Sequence, residues 1–135
     1  MKKLFLLVVI TLMLTACAGG DSASLTGTWA LVSYGSTSSP APAAPGVDTS
    51  IEFGSDGKLS GNVGCNQFNG GYQVDGDKIT FEQIVSTLMM CEGPVGDQEA
   101  AALAVFAESA TFVMDGDALT ITSADGGSVI VLARK

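Results

Sequence analysis

The chain has no histidine, and its six lysines and arginines face fourteen acidic residues. The first absence removes the commonest general base and the commonest metal ligand. It also excludes a Ser-His-Asp hydrolase, because Ser86 and Thr87 have no imidazole to activate them. The second leaves a net charge of −8 and a pI of about 4.1. A surface that acidic repels phosphate backbones, so no nucleic acid is expected as a partner. It repels anionic lipid head groups equally, so any membrane attachment has to be covalent. Cysteine is scarce, with three in the chain and no Cys-x-x-Cys. The one long apolar run, residues 4–14, is about ten residues, too short to span a bilayer. At 135 residues the chain allows one domain.

That apolar run follows a positive start, Met1-Lys2-Lys3, and ends in Leu14-Thr15-Ala16-Cys17. Small residues before the cleavage point suit a signal peptidase. A cysteine directly after them resembles the lipobox of bacterial lipoproteins, in which that cysteine becomes the acylated N-terminus. An ordinary secretory signal with a chance cysteine is the alternative. The expected organisation is a lipoprotein signal peptide at 1–16, a lipidated Cys17 with its tether at 17–24, and a folded domain at 25–135. Several acyl chains, palmitate among them, anchor a protein stably where one does not. Ala18 stands where an aspartate would resemble the inner-membrane retention signal. The expected place is therefore the cell envelope, at the outer membrane facing the periplasm in a Gram-negative source. Removing Lys2 and Lys3 leaves four basic residues (Lys58, Lys78, Arg134, Lys135) against fourteen acidic ones, a net charge of −10.

The remainder reads as short strands. Residues 25–34 contain Trp29, the only tryptophan, and alternate as a half-buried strand does; Trp29 reads as a core anchor. Residues 36–47, rich in Ser, Ala and Pro, read as a long surface loop. Hairpin patterns follow around Gly54-Ser55-Asp56-Gly57, Asp75-Gly76-Asp77 and Asp115-Gly116-Asp117. Residues 128–133 are apolar on both faces, which suits a covered strand. One stretch breaks the rhythm. Asp97 reads as an N-cap, and the alanine-rich run from Ala100 predicts a helix with Leu103, Phe106 and Ala110 on its packed face. The fold class predicted is α+β, mainly β: a curved antiparallel sheet or partly open barrel of about eight strands, with one helix packed on it.

Between two of these strands lies the densest turn chemistry, Gly61-Asn62-Val63-Gly64-Cys65-Asn66-Gln67-Phe68-Asn69-Gly70-Gly71-Tyr72. So much Gly and Asn marks backbone that takes positive φ or lets another segment come close. Its cysteine has one plausible partner downstream, Cys91. In an exported protein two such cysteines favour a disulfide, worth ~3.5 kcal/mol for a loop of about 27 residues. The alternative, a redox centre, wants a poised thiolate beside a cation, whereas the neighbours here are Asn66 and Glu92. The Asp-Gly-Asp repeats lack the ligand spacing of a calcium loop and read as turns. Met89 and Met90 read as core packing rather than a soft-metal site. No metal and no cofactor are expected.

These residues together resemble the META domain family, that of HslJ-like heat-shock proteins. The matching run is Leu25-x-Gly27-x-Trp29, Phe53-x-x-Asp56-Gly57 and Gly61-x-x-Gly64-Cys65-Asn66-x-Phe68-x-Gly70-x-Tyr72. It continues with Ile79-x-Phe81, Ser86-Thr87-x-Met89-x-Cys91, Glu99 and Leu119-x-Ile121. The resemblance implies a compact β-rich domain with a helix, often carried by exported or lipid-anchored proteins, and links to heat shock, antibiotic tolerance and virulence. It implies no catalytic residues. Gly64, Asn66 and Thr87 are candidate binding residues, because such motif residues either build the fold or line a partner surface. The expected function is that of a non-catalytic envelope lipoprotein, not an enzyme. It would serve stress tolerance or envelope integrity through an unidentified envelope protein, with the membrane reached through lipidated Cys17. The alternative is a carrier of a small hydrophobic ligand in a barrel cavity.

Overall fold

The structure, a computed structural model, describes residues 25–135. The expected signal peptide at 1–16 and the expected lipidated Cys17 with its tether at 17–24 lie outside the described residues. The elements run β1 (Gly27–Ser36), β2 (Ser39–Pro42), β3 (Ser50–Phe53), β4 (Lys58–Asn62), β5 (Gln67–Asp75), β6 (Lys78–Ser86), α1 (Gly93–Val105), β7 (Ser109–Asp115), β8 (Ala118–Ser123) and β9 (Ser128–Arg134). From β3 to β9 each strand pairs antiparallel with the next. β1 joins β3 on one side and β9 on the other, so eight strands close into a barrel and β2 lies outside the ring. The predicted mainly-β class with one packed helix is what folds, and the pairing of β1 with β9 closes the ring.

Alternation fills the barrel. Ile51 and Phe53 of β3, Leu59 of β4, Ile79 and Phe81 of β6, Leu119 and Ile121 of β8, and Ile130 and Leu132 of β9 all point inward and are buried. β1 shifts register against β9 between Leu31 and Ser33, leaving Val32 exposed. That irregularity switches the side-chain parity, so Trp29, Leu31 and Tyr34 all face the core. Trp29 is fully buried, donates its indole N–H to Leu25 O at 2.9 Å, and lies under the Arg134 guanidinium at 4.2 Å. It is the core anchor that its position suggested.

The strands place the connections at two ends. One end carries the tight turns after β3, β5 and β7, together with both ends of the described chain. Gly76 and Gly116 take the first central position of their two-residue turns with φ of +62° and +58°. That is the place a type II′ turn gives glycine, so the Asp-Gly-Asp repeats are hairpin turns. The opposite end carries residues 63–66, residues 87–92, α1 and the β8–β9 turn.

Three local expectations change. Residues 36–47 are not loop throughout, because β2 pairs with the far half of β1 from Ser33↔Pro42 to Ser36↔Ser39. Pro40 and Pro42 fit there because an edge strand has no second neighbour to receive their missing N–H groups. The helix begins at Gly93, with Pro94 in its first turn, where a missing N–H costs nothing. Asp97 is therefore inside the helix rather than at its cap. The helix stops at Val105, and Ala110 belongs to β7, because Phe106 turns into the barrel mouth against Phe81 and Phe68, at ring-centroid distances of 4.9 and 5.3 Å.

Candidate functional site

The helix end is held by buried polar side chains. Gln98 is fully buried; its amide oxygen accepts from Ala44 N at 2.9 Å, and its amide nitrogen donates to Val63 O. One side chain thereby ties α1 to two loops. Glu99, one residue on, accepts from Asn66 N at 2.7 Å and from Asn66 Nδ2 at 2.6 Å. The Tyr34 hydroxyl donates to Pro94 O at 3.3 Å, fastening the first helical turn to β1.

Asn66 is the hub. Its amide nitrogen also donates to Met89 O at 3.0 Å, and its oxygen accepts from Thr87 Oγ1 at 2.8 Å and Met89 N at 2.7 Å. A side-chain amide offers two donors and two acceptor lone pairs, so every one is used inside the protein. Thr87 Oγ1 in turn accepts from Gln67 N at 3.1 Å. Gly64 sits at φ +117°, where a Cβ would come within 2.7 Å of Val47 Cγ1 and 2.9 Å of Gln98 Nε2. Only glycine lets this loop reach the helix.

Of the three candidate binding residues, Asn66 and Thr87 therefore touch each other, while Gly64 packs against α1. Cys65 and Cys91 are joined as a disulfide with their Cα atoms 6.3 Å apart, within the ordinary span. The two sulfurs and a Glu99 carboxyl oxygen lie within 4.8 Å of one another. These are the groups that could hold a soft metal if the disulfide were opened, but Asn66 already occupies the Glu99 oxygens. Cys17 lies outside the described residues.

The outcome of this bracing is a loop displayed outward. Leu88 and Met90 are 95% and 91% exposed, and Met89 is more than half exposed. The expectation that Met89 and Met90 pack in the core is corrected: the main chain of Met89 is pinned on both sides by Asn66, and residue 91 is tied by the disulfide, so the side chains between have nowhere inward to go. Sequence reasoning also missed the buried roles of Gln98 and Glu99. Extending the helical period back from Phe106 through Ala102 would have placed both on the packed face.

Geometry and topology define a small, closed, helix-capped β-barrel. The META domain family matches residues 23–135, and the chain belongs to that family. Among solved structures it is similar to a protein from Burkholderia xenovorans determined by NMR, with a TM-score of 0.66 and 21% identity over 84% of this chain and 85% of that one. A second NMR structure matches with a TM-score of 0.59 and 19% identity over 79% and 88%. A DUF4847-family protein from Bacteroides vulgatus matches with a TM-score of 0.57 and 16% identity over 82% and 94%. At such identities the likeness shows the fold alone. No curated protein matches the chain.

Proposed function

We propose that this protein is a non-catalytic lipoprotein of the cell envelope, anchored through Cys17, whose META domain supports stress tolerance or envelope integrity by binding another envelope protein. The observation that carries the reading is the apolar tip at Leu88, Met89 and Met90, exposed on a loop that Asn66 and the disulfide hold rigid. Apolar side chains clustered on the surface and held in one conformation suit a docking surface, since little conformational freedom is lost on binding. Gly64, Asn66 and Thr87 serve that surface from beneath, by presenting the loop.

The carrier reading has less support. Trp29, Phe53, Phe81 and Phe106 are all buried in the interior where a ligand would sit. Membrane fractionation tests the anchor: the wild type should sediment with envelope membranes, and Cys17→Ser should be released. Proximity crosslinking in the native envelope tests the rest. A reproducible protein partner, lost in Leu88→Asp/Met90→Asp, supports the interaction reading. A co-purifying lipid or small molecule with no protein partner would transfer support to the carrier. A specific turnover by the purified protein, abolished by replacing one side chain, would overturn the non-catalytic reading.

A further inference from the structure

The barrel closes unevenly around its ring. β5 covers β6 along almost its whole length, from Asp75↔Lys78 to Phe68↔Ser86. On the other side β7 meets β6 only from Lys78↔Thr111 to Thr80↔Ser109. β7 begins only at Ser109, opposite Thr80, so β6 has no strand neighbour on that side beyond Thr80. Phe106 fills the gap from within, against Phe81, while α1 packs on β9, β1 and β8. The stretch Phe81 to Ser86 is thus an open strand edge inside a closed barrel, with backbone donors and acceptors that no neighbouring strand takes up.

Further observations fall on the same strand and its surroundings. β5 and β6 shift register between Asn69 and Gly71, and Gln83, in the bulge opposite, has φ +49°, the one positive φ at a non-glycine residue among those described. Such a conformation is disfavoured and tends to mark function. Over the β5–β6 pair at this bulge, beside the free edge, lies a surface groove lined by Asn69, Gly70, Gly71, Glu82, Gln83 and Val85. Val85 is 58% exposed, and the chain continues directly from it to the apolar tip at 88–90. Lastly, the sequence has no lysine or arginine between Lys78 and Arg134, while Glu82, Glu92 and Glu108 all lie in that interval.

We propose that the free edge of β6 from Phe81 to Ser86, with Val85 and the Leu88–Met90 tip beside it, receives an extended basic and apolar segment of a partner polypeptide as an added strand. This rests on the interaction reading above and names the chemistry of its partner. The unpaired backbone selects an extended chain, as in other strand additions. Val85, Leu88 and Met90 select apolar side chains on it, and the acidic surroundings select positive charge. A second copy of this chain is the poorer occupant, because it brings a net charge of −10 and the same acidic edge to the contact.

The test uses the full lipidated chain in non-ionic detergent and three synthetic decapeptides: alternating Lys and Val, alternating Lys and Ser, and alternating Glu and Val. Amide hydrogen exchange is read residue by residue. The Lys/Val peptide should slow exchange across residues 82–86 at least ten-fold, and the other two should leave it unchanged. Val85→Asp/Met90→Asp, at exposed positions, should abolish the protection without shifting Tm. Equal protection by Lys/Ser, protection elsewhere, or none at all would overturn the proposal. So would protection of 82–86 by self-association in peptide-free samples. Photocrosslinking in the native envelope from Val85, with the exposed Val113 of β7 as control, separates the two readings. A partner captured from Val113 but not from Val85 leaves the interaction reading standing and removes this one.

Discussion

The two ends of the barrel are built by different means. At the turn end, the connections are specified mainly by residues inside them: Gly76 and Gly116 supply the positive φ, and Asp56 accepts from Lys58 N two residues away, with Tyr72 adding one longer-range bond to Gly54 O. At the helix end, few connections are self-sufficient. Residues 63–66, 87–91 and 44 are held by Gln98, Glu99 and Asn66, through hydrogen bonds that span from 21 to 54 positions of sequence, and by the disulfide. The lesson is one of vulnerability. Damage at the turn end stays local, whereas one side chain lost at the helix end leaves several buried polar groups without partners.

That contrast can be broken most sharply at the disulfide. Replacing Cys65 and Cys91 together by serine should cost about 3.5 kcal/mol on the chain-entropy estimate. Urea denaturation with and without a reducing agent checks this: the reductant should shift the wild type toward the variant and leave the variant unmoved. Next comes Asn66→Ala, which removes one of the two partners of the Glu99 carboxylate, leaving the main-chain N–H of residue 66, and takes the side-chain partner from both main-chain groups of Met89. A loss of about 3 kcal/mol is expected, with hydrogen exchange accelerated first in residues 87–91.

Tyr72→Phe samples the turn end. Tyr72 donates its hydroxyl to Gly54 O at 2.7 Å and meets Phe53 edge-on at 5.1 Å. The ring stays and one hydrogen bond goes, so about 1 kcal/mol should be lost. A loss as large as that of Asn66→Ala would erase the distinction between the ends.

The smallest effect belongs to Asp125, in a locally specified turn that happens to lie at the helix end. Ser123 Oγ donates to it at 2.6 Å and Gly127 N at 2.9 Å; the serine first and the backbone second hold its carboxyl below the usual carboxylate range. A group whose folded pKa is lowered stabilises above its unfolded pKa and loses that contribution as pH falls through the folded value. The small Tm difference between wild type and Asp125→Asn should therefore be constant at neutral pH and shrink only in strong acid. This sharpens the comparison, since the mode of construction, rather than the end, sets the cost.

Much of the fold was legible because it is locally specified. Alternation located the hairpins, Asp-Gly-Asp located two turns, and the apolar run at 128–133 marked β9 as covered, which its pairing with both β1 and β8 explains. The site was less legible. Asn66 and Thr87 stood out as residues but not in their role, because a side chain that binds a partner and one that braces a loop have the same composition. Gln98 and Glu99 are polar, and polarity argues for the surface until a partner 33 or more positions away buries it.

By itself the sequence determined the acidic balance, the absence of imidazole chemistry, the strand periods, the turns and the family. Each of these depends on residue type or on neighbours a few positions apart. The tertiary structure alone decided that the sheet closes through β1 and β9, that β7 flanks β6 only as far as Thr80, and that the methionines beside Cys91 face outward. These depend on which distant segments meet, and the cost of leaving polar groups unpaired settles that only once the whole ring is assembled.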